Sequence, residues 1–334
     1  MSRNVNFGLW YDFRNPQPSA VSFETLYRAS LEQIAWAESL GFDSVWLTEH
    51  HFCADGYTPS PLVIAAAIGE RTRRMRIGTN LMLLPLADPM RLAEDAATVS
   101  ILTGGRFDLG VGLGYRQLEF DYFGRKLSQR PSLMEEGVAI IRQAWTGEPV
   151  RVAGKRYRID GLAMAPVPTR APRLLMGGMS EPAIARAARL ADGFLSTAGI
   201  GHDSYVDALR AQGKTSGAIC AGHWGIIAKD PDAEVAKIGA HVLYQINQYV
   251  EWGAFGDGVA PYPNVEAAIR GGPYELLDAD AAVAGLTKML RDSPAIVDVH
   301  FWAKFPGESV DSGSTRIEYI AERVLPRVRA NLAT

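Results

Sequence analysis

The chain has 334 residues, enough for about two domains of average size or for one (β/α)8 barrel. Its 34 Lys and Arg residues against 37 Asp and Glu give a net charge of −3 with no block of like charge, which argues against nucleic acid or a membrane surface as a partner. With 47% hydrophobic and 21% charged residues, global disorder is excluded.

Short apolar runs alternate with longer helical patterns from one end of the chain to the other, the signature of βα units around a parallel sheet. Eight runs read as strands: 5–10, 44–48, 76–83, 107–113, 173–176, 193–197, 218–228 and 296–301. The first helix is bounded by Ser22 and Gly41 and has a face of Phe23, Leu26, Ser30, Ile34, Ala37 and Leu40. Helical patterns also occupy 89–102, 132–145, 181–190 and 232–252. The expectation is an α/β fold, a (β/α)8 TIM barrel in one domain spanning 1–334, with insertions near 147–172 and 253–275. A doubly wound open sheet is the alternative, but Trp10-Tyr11-Asp12-Phe13 stands where its glycine fingerprint would follow the first strand.

Cys53 and Cys220 are the only cysteines, too few for a disulfide framework. No run reaches the ~18 apolar residues of a membrane span, and Asn4, Asn6 and Asp12 break the apolar stretch that a secretory signal needs. A cytoplasmic protein without membrane contact is expected.

In a barrel, reactive residues gather where strands end. The second strand runs into Thr48-Glu49-His50-His51-Phe52. Adjacent side chains on an extended backbone point to opposite sides, so the His pair is a poor metal grip and no metal is expected. The remaining readings are two packed histidines or an imidazole that hydrogen-bonds a bound small molecule. Along 107–114, Phe107, Leu109, Val111 and Leu113 share one face, while Asp108, Gly110, Gly112 and Gly114 share the other. This wall without side chains leaves room for a flat body or marks a tight barrel corner, and nothing helical follows it before Ser132. After the fifth strand, Gly177-Gly178-Met179-Ser180-Glu181-Pro182 opens a helix whose N-terminus suits a phosphate, or is simply a capped start after a flexible turn. Arg130 is a candidate second anchor. Aromatic Trp10 and Tyr11 after the first strand, Trp224 in the seventh and His300 near the end of the eighth are candidates for a substrate pocket.

The combined motifs resemble the bacterial luciferase-like flavin-dependent monooxygenases. The resemblance is carried by Thr48 to Phe52, Ile77-Gly78-Thr79-Asn80, Leu84-Pro85 with Asp88 to Asp95, Gly104-Gly105-Arg106-Phe107 with Gly110 to Gly114, and Trp145 to Pro149. It implies a barrel that binds reduced FMN at its C-terminal mouth, commonly in a homodimer. Reduced flavin would come from a separate flavin reductase and react with O2 through a C4a-peroxide to oxygenate a small organic substrate. By motif, His50 matches the histidine beside the reactive edge of the ring, and His51 and Glu49 line the pocket or orient it. Asn80 and Leu81 fall where the family often has a non-prolyl cis peptide under the ring. Gly112 stands where luciferase carries a reactive cysteine, which argues against light emission. Arg130, Gly178, Met179 and Ser180 match the region that holds the flavin phosphate. The same family includes enzymes of the deazaflavin F420 that transfer a hydride, and a non-catalytic flavin-binding relative is a further alternative.

Overall fold

The computed structural model describes residues 4–17, 21–256 and 258–333. Eight parallel strands close into a barrel: β1 (Asn6–Tyr11), β2 (Ser44–Leu47), β3 (Arg76–Thr79), β4 (Phe107–Gly112), β5 (Arg173–Gly177), β6 (Gly193–Thr197), β7 (Ile219–His223) and β8 (Ile296–Trp302). Each pairs with its neighbour in chain order, and the circle closes where Asn6 faces Asp298 and Trp10 faces Trp302. The (β/α)8 barrel expected from the alternating pattern is therefore the fold.

Around it lie α1 (Phe23–Ser39), α2 (Pro61–Arg71), α3 (Pro89–Leu102), α4 (Gln117–Tyr122), α5 (Arg130–Ala144) and α6 (Glu181–Leu190). They are followed by α7 (His202–Ala211), α8 (Pro231–Glu251), α9 (Val265–Gly271), α10 (Ala279–Asp292), α11 (Val310–Arg323) and α12 (Leu325–Ala333). The first helix shows why the pattern was readable. Ser22 Oγ accepts the Thr25 amide hydrogen, Leu26, Ile34 and Ala37 are buried, and Gly41 leaves the helix at φ +96° without a Cβ penalty. Phe23, in its first turn, projects outward and is exposed rather than part of the packed face. Among the described residues no helix is long and apolar enough to cross a membrane.

Three local readings need correction. The third run breaks at a cis peptide between Asn80 and Leu81, beyond which Met82–Leu83 rejoins β4. The seventh run also divides: Gly225–Ile227 leaves the barrel to pair with Glu275–Leu277, so Trp224 sits at a strand end. The segment between β4 and Ser132 holds the six-residue helix α4, too short to show a helical period in sequence. Of the two insertions, the first is an antiparallel hairpin of Val150–Ala153 with Arg158–Leu162, and the second carries α9.

The barrel interior is filled by matching large side chains to glycines. A Cβ on Gly78 would lie 2.3 Å from the Trp46 indole, and one on Gly222 would lie 2.6 Å from the Trp10 indole. The expected bare wall is used in the same way. Gly110 faces Leu195 and the Thr79 carbonyl, while Gly112 and Gly177 both face the Leu81 side chain. Asp108, fully buried, is held by Arg76 Nε at 2.9 Å and Arg173 Nε at 2.8 Å. The glycines of β4 thus make room first for the protein's own leucines.

Because backbone and indole meet so closely, Gly78→Ala should cost about 1–3 kcal/mol by overpacking, read as a lower urea midpoint at unchanged slope. An unchanged midpoint would show that Trp46 has another rotamer free to it.

Candidate active site

At the C-terminal mouth lies a cavity of about 690 Å³, within the range of small-molecule and cofactor sites. His50 reaches it from the loop after β2 and is oriented from both ring nitrogens. Nδ1 lies 2.9 Å from Glu119 Oε1, and Nε2 lies 2.9 Å from the Tyr115 hydroxyl. With Nδ1–H donated to the carboxylate, Nε2 is the acceptor for the tyrosine O–H. The same Glu119 oxygen accepts the His51 amide at 2.8 Å, while Oε2 is buried with no hydrogen-bond partner among the described residues. Burial pushes the Glu119 carboxyl up, but the His50 hydrogen bond and charge, the His51 amide and the Arg116 charge outweigh it and hold it below its ordinary 4.5. Glu119 therefore stays a carboxylate at neutral pH, and it can stabilise a proton arriving on Nε2.

An aromatic frame surrounds this pair. The His50 ring packs edge-on to Tyr57 with centroids 4.8 Å apart and lies 5.1 Å from Trp252. Trp252 is itself held by two guanidinium groups, with Arg116 4.8 Å and Arg14 5.1 Å from its ring centroid.

Of the residues singled out in the sequence, Trp10, His50, Asn80, Leu81, Gly112, Arg130, Gly178, Met179, Ser180 and Trp224 all line the cavity. Three do not. Tyr11 alternates with Trp10 along β1, so its ring points into the helix layer, where its hydroxyl meets Gln33 Oε1 at 2.8 Å. His51 turns away from the cavity, its Nε2 3.3 Å from Glu49 Oε1 and its ring against Phe123. His300 is fully buried beneath the cavity floor, with Nδ1 3.0 Å from Asp298 and Nε2 2.9 Å from the Asn80 side-chain nitrogen. It holds Asn80 instead of facing the cavity.

Arg130 enters from the start of α5. Its Nε and Nη1 donate to the carbonyls of Leu127 and Gly114, and among the described residues no carboxylate pairs with it. A guanidinium has five N–H groups, so donors remain for a ligand. Beside it, Ser180 is the N-cap of α6 but its side chain makes no capping bond. Among the described residues no group of three His, Cys, Asp or Glu side chains could hold a metal ion.

A family model for luciferase-like monooxygenases matches residues 5–278. The chain belongs to the luciferase-like monooxygenase family. An F420-dependent glucose-6-phosphate dehydrogenase of Amycolatopsis mediterranei is 32% identical over 201 residues, 55% of this chain and 60% of that enzyme. More broadly, the chain spans between 39% and 70% of the length of curated relatives it matches. Among solved structures, the monooxygenase RslO1 of Streptomyces bottropensis superposes with a TM-score of 0.80 at 23% identity, covering 96% of this chain and 99% of that one. The oxygenating constituent of 3,6-diketocamphane monooxygenase from Pseudomonas putida, solved with FMN, gives 0.78 at 18% identity, covering 97% and 98%. At these identities the structures show the shared fold.

The sequence reading of this luciferase-like chain missed Tyr57, Tyr115, Glu119, Tyr249 and Trp252. Glu119 was hidden because α4 is a single short turn, yet its placement five residues beyond the Gly112-Leu113-Gly114 turn was a usable signal: helical carboxylates near a barrel mouth need partners. Tyr249 and Trp252 come from the end of α8, far along the chain, and only the closed barrel brings them to His50.

Burial lowers the basicity of His51, but its hydrogen bond to Glu49 and the charges of Glu49 and Glu119 outweigh this and raise its pKa above 6.5. A raised folded value means that protonated His51 stabilises the fold fully below pH 6.5, and that this contribution is lost as the pH rises through the folded value. His51→Gln should therefore lower the unfolding midpoint more near pH 5.5 than near pH 9. An equal loss at both would detach His51 from Glu49.

Proposed function

We propose that this protein is a monooxygenase that uses reduced FMN and O2 to oxygenate a small organic substrate. The observation that carries this reading is the pairing, in one cavity, of an anion end built from Arg130 and Ser180 with the His50–Glu119 pair at the rim. Arg130, with donors left over and no carboxylate, and the backbone at Gly178, Met179 and Ser180 would hold the phosphate at the start of α6. Asn80, Leu81 and Gly112 would form the floor under the ring, with Asn80 fixed by His300 and Asp298. Bound reduced flavin supplies the electrons that activate O2; the protein positions it and keeps water out.

The residues of the chain manage the proton. His50 Nε2, linked to the Tyr115 hydroxyl, can receive or return one at the cavity rim, and Glu119 balances the charge at Nδ1. We assign His50 the acid–base role and Glu119 the positioning role. The first strand carries no nicotinamide fingerprint, so a separate flavin reductase fits as the source of reduced cofactor. A homodimer of one-domain subunits in the cytoplasm completes the proposal.

A second reading is favoured by the relative from Amycolatopsis mediterranei: hydride transfer with F420 on the same scaffold. Anaerobic titration of the full chain with reduced FMN and with reduced F420 separates the two. We expect reduced FMN to bind at least tenfold more tightly; the reverse order establishes the F420 reading, and affinity for neither overturns both.

His50→Ala should leave cofactor affinity within about threefold and lower turnover by roughly 10²–10⁴, the range for loss of a positioned acid or base. Glu119→Gln should retain more activity than His50→Ala and shift the pH profile of kcat. Unchanged turnover in His50→Ala would remove the assignment.

A further inference from the structure

The cavity has two chemically distinct ends, set by the strand order. Arg130 and the start of α6 follow β4 and β5, whereas Trp10 lies near the end of β1 and Trp224 follows β7 on the other side of the circle. The far end is walled by Trp10, Tyr57, Trp224, Tyr249, Phe255 and Pro273. Successive rings meet at near right angles: Trp10 and Trp224 with centroids 6.2 Å apart, Trp224 and Tyr249 at 6.1 Å, and Tyr249 and Tyr57 at 6.4 Å. Such a surface favours the faces and edges of another ring.

The polar groups at this end are nearly all committed elsewhere. Trp10 Nε1–H is spent on the Asn80 carbonyl at 3.2 Å, and Trp224 Nε1–H on Thr197 Oγ1 at 2.7 Å. The hydroxyls of Tyr57 and Tyr249 lie 2.7 Å apart. One hydrogen bond between two hydroxyls consumes one hydrogen; the Tyr57 hydroxyl also meets the Thr48 side chain, so the donor left for a ligand is the Tyr249 O–H when Tyr57 donates across the pair. Burial raises the pKa of both phenols, so both remain protonated.

Charge is missing from the same wall. Among the described residues Arg130 is the only Lys or Arg that lines the cavity, and it stands at the opposite end. Arg14 lies behind the wall, its guanidinium 5.0 Å from the Tyr57 ring centroid and its Nε 2.6 Å from Asp55. Glu49, on the rim, is bound by the Leu83 amide and faces His51. An anionic substrate would lose its water here without meeting a cation.

We infer that the substrate is an uncharged, ring-bearing apolar molecule with one acceptor oxygen, which takes a hydrogen bond from the Tyr57–Tyr249 hydroxyl pair. This rests on the reading above in one respect, that the cofactor occupies the Arg130 end. It sets the site apart from one that reads a phosphorylated sugar, because Arg130 is then already committed to the cofactor's phosphate.

Three probes of one skeleton test it: 1-tetralone, the parent hydrocarbon tetralin, and a 1-tetralone bearing a carboxylate on the aromatic ring. Each is titrated calorimetrically into the full chain, with and without cofactor, and cofactor affinity is measured separately so that its failure is read independently. We expect 1-tetralone to bind at least tenfold more tightly than both other probes. In the Tyr57→Phe, Tyr249→Phe double variant the ketone should fall to within about threefold of tetralin, while tetralin affinity, which reports an intact wall, stays constant. Should the double variant fail to fold, the two single variants give the same ratio, each falling part of the way. Equal binding of ketone and hydrocarbon, preference for the carboxylate, no binding of any probe, or a ratio untouched in the variants would overturn the inference.

Discussion

Glu119 is a carboxylate without exposed surface, and the mouth of the barrel is organised around the need to satisfy it. A buried charge is tolerable only with hydrogen-bond donors arranged about it, and here they come from the loop after β2: the ring of His50 and the backbone amide of His51. One carboxylate thereby fixes the tautomer of His50, the path of the 50–53 loop and the position of α4. Arg116, 3.7 Å from the same oxygen, extends the arrangement by donating to the His51 carbonyl and lying against Trp252. The end of α8 is tied in this way to the loop that carries the imidazole.

Beneath this rim the floor of the cavity is set by a second constraint, the fit of large inward side chains against glycine. Trp46 over Gly78, Trp10 over Gly222 and Leu81 over Gly112 and Gly177 fill the barrel to the level at which the cavity begins. The polar column on β8 belongs to the same filling. Asp298 accepts hydrogen bonds from Trp46 Nε1 at 2.9 Å and His300 Nδ1 at 3.0 Å, and His300 passes the order upward to the Asn80 amide. A fully buried aspartate thus orients an amide at the cavity floor through one imidazole, both of whose nitrogens are engaged.

The barrel was legible because its signal is local and repeated. The helices at 89–102 and 181–190 coincide with α3 and α6, where Asp88 and Ser180 precede a proline in the first turn. The site was legible where a motif fell just past a strand end, as with His50, Asn80 and Ser180, and Arg130 was legible at a helix start. It was not legible where one residue of difference decided the direction. Trp10 and Tyr11 are adjacent on β1 and point to opposite layers; Asn80 and His300 stand at comparable strand ends, yet one lines the cavity and the other supports it from below. Direction on a strand follows from register around the circle, and register is a property of all eight strands together. The tyrosine pair was beyond reach for the same kind of reason, since Tyr57 and Tyr249 are 192 residues apart and meet only through the packing of α8 over the mouth.

The relation to the sugar-phosphate dehydrogenase and to the FMN-bound oxygenase can be weighed from the charges in the cavity. A shared scaffold favours neither chemistry. Any phosphate-tailed cofactor in this chain would engage Arg130 and the start of α6, because no other cation among the described residues reaches the cavity. The substrate end is then left with aromatic faces and a hydroxyl pair. A second phosphate there would be stripped of water against tryptophan and tyrosine, while Arg14, paired to Asp55 through Nε, lies behind the Tyr57 ring and does not line the cavity. A neutral molecule meets no such cost, and the area it buries against the rings works in its favour. The number and position of cations in the cavity, rather than the scaffold, is therefore what decides which substrate charge this site can accept.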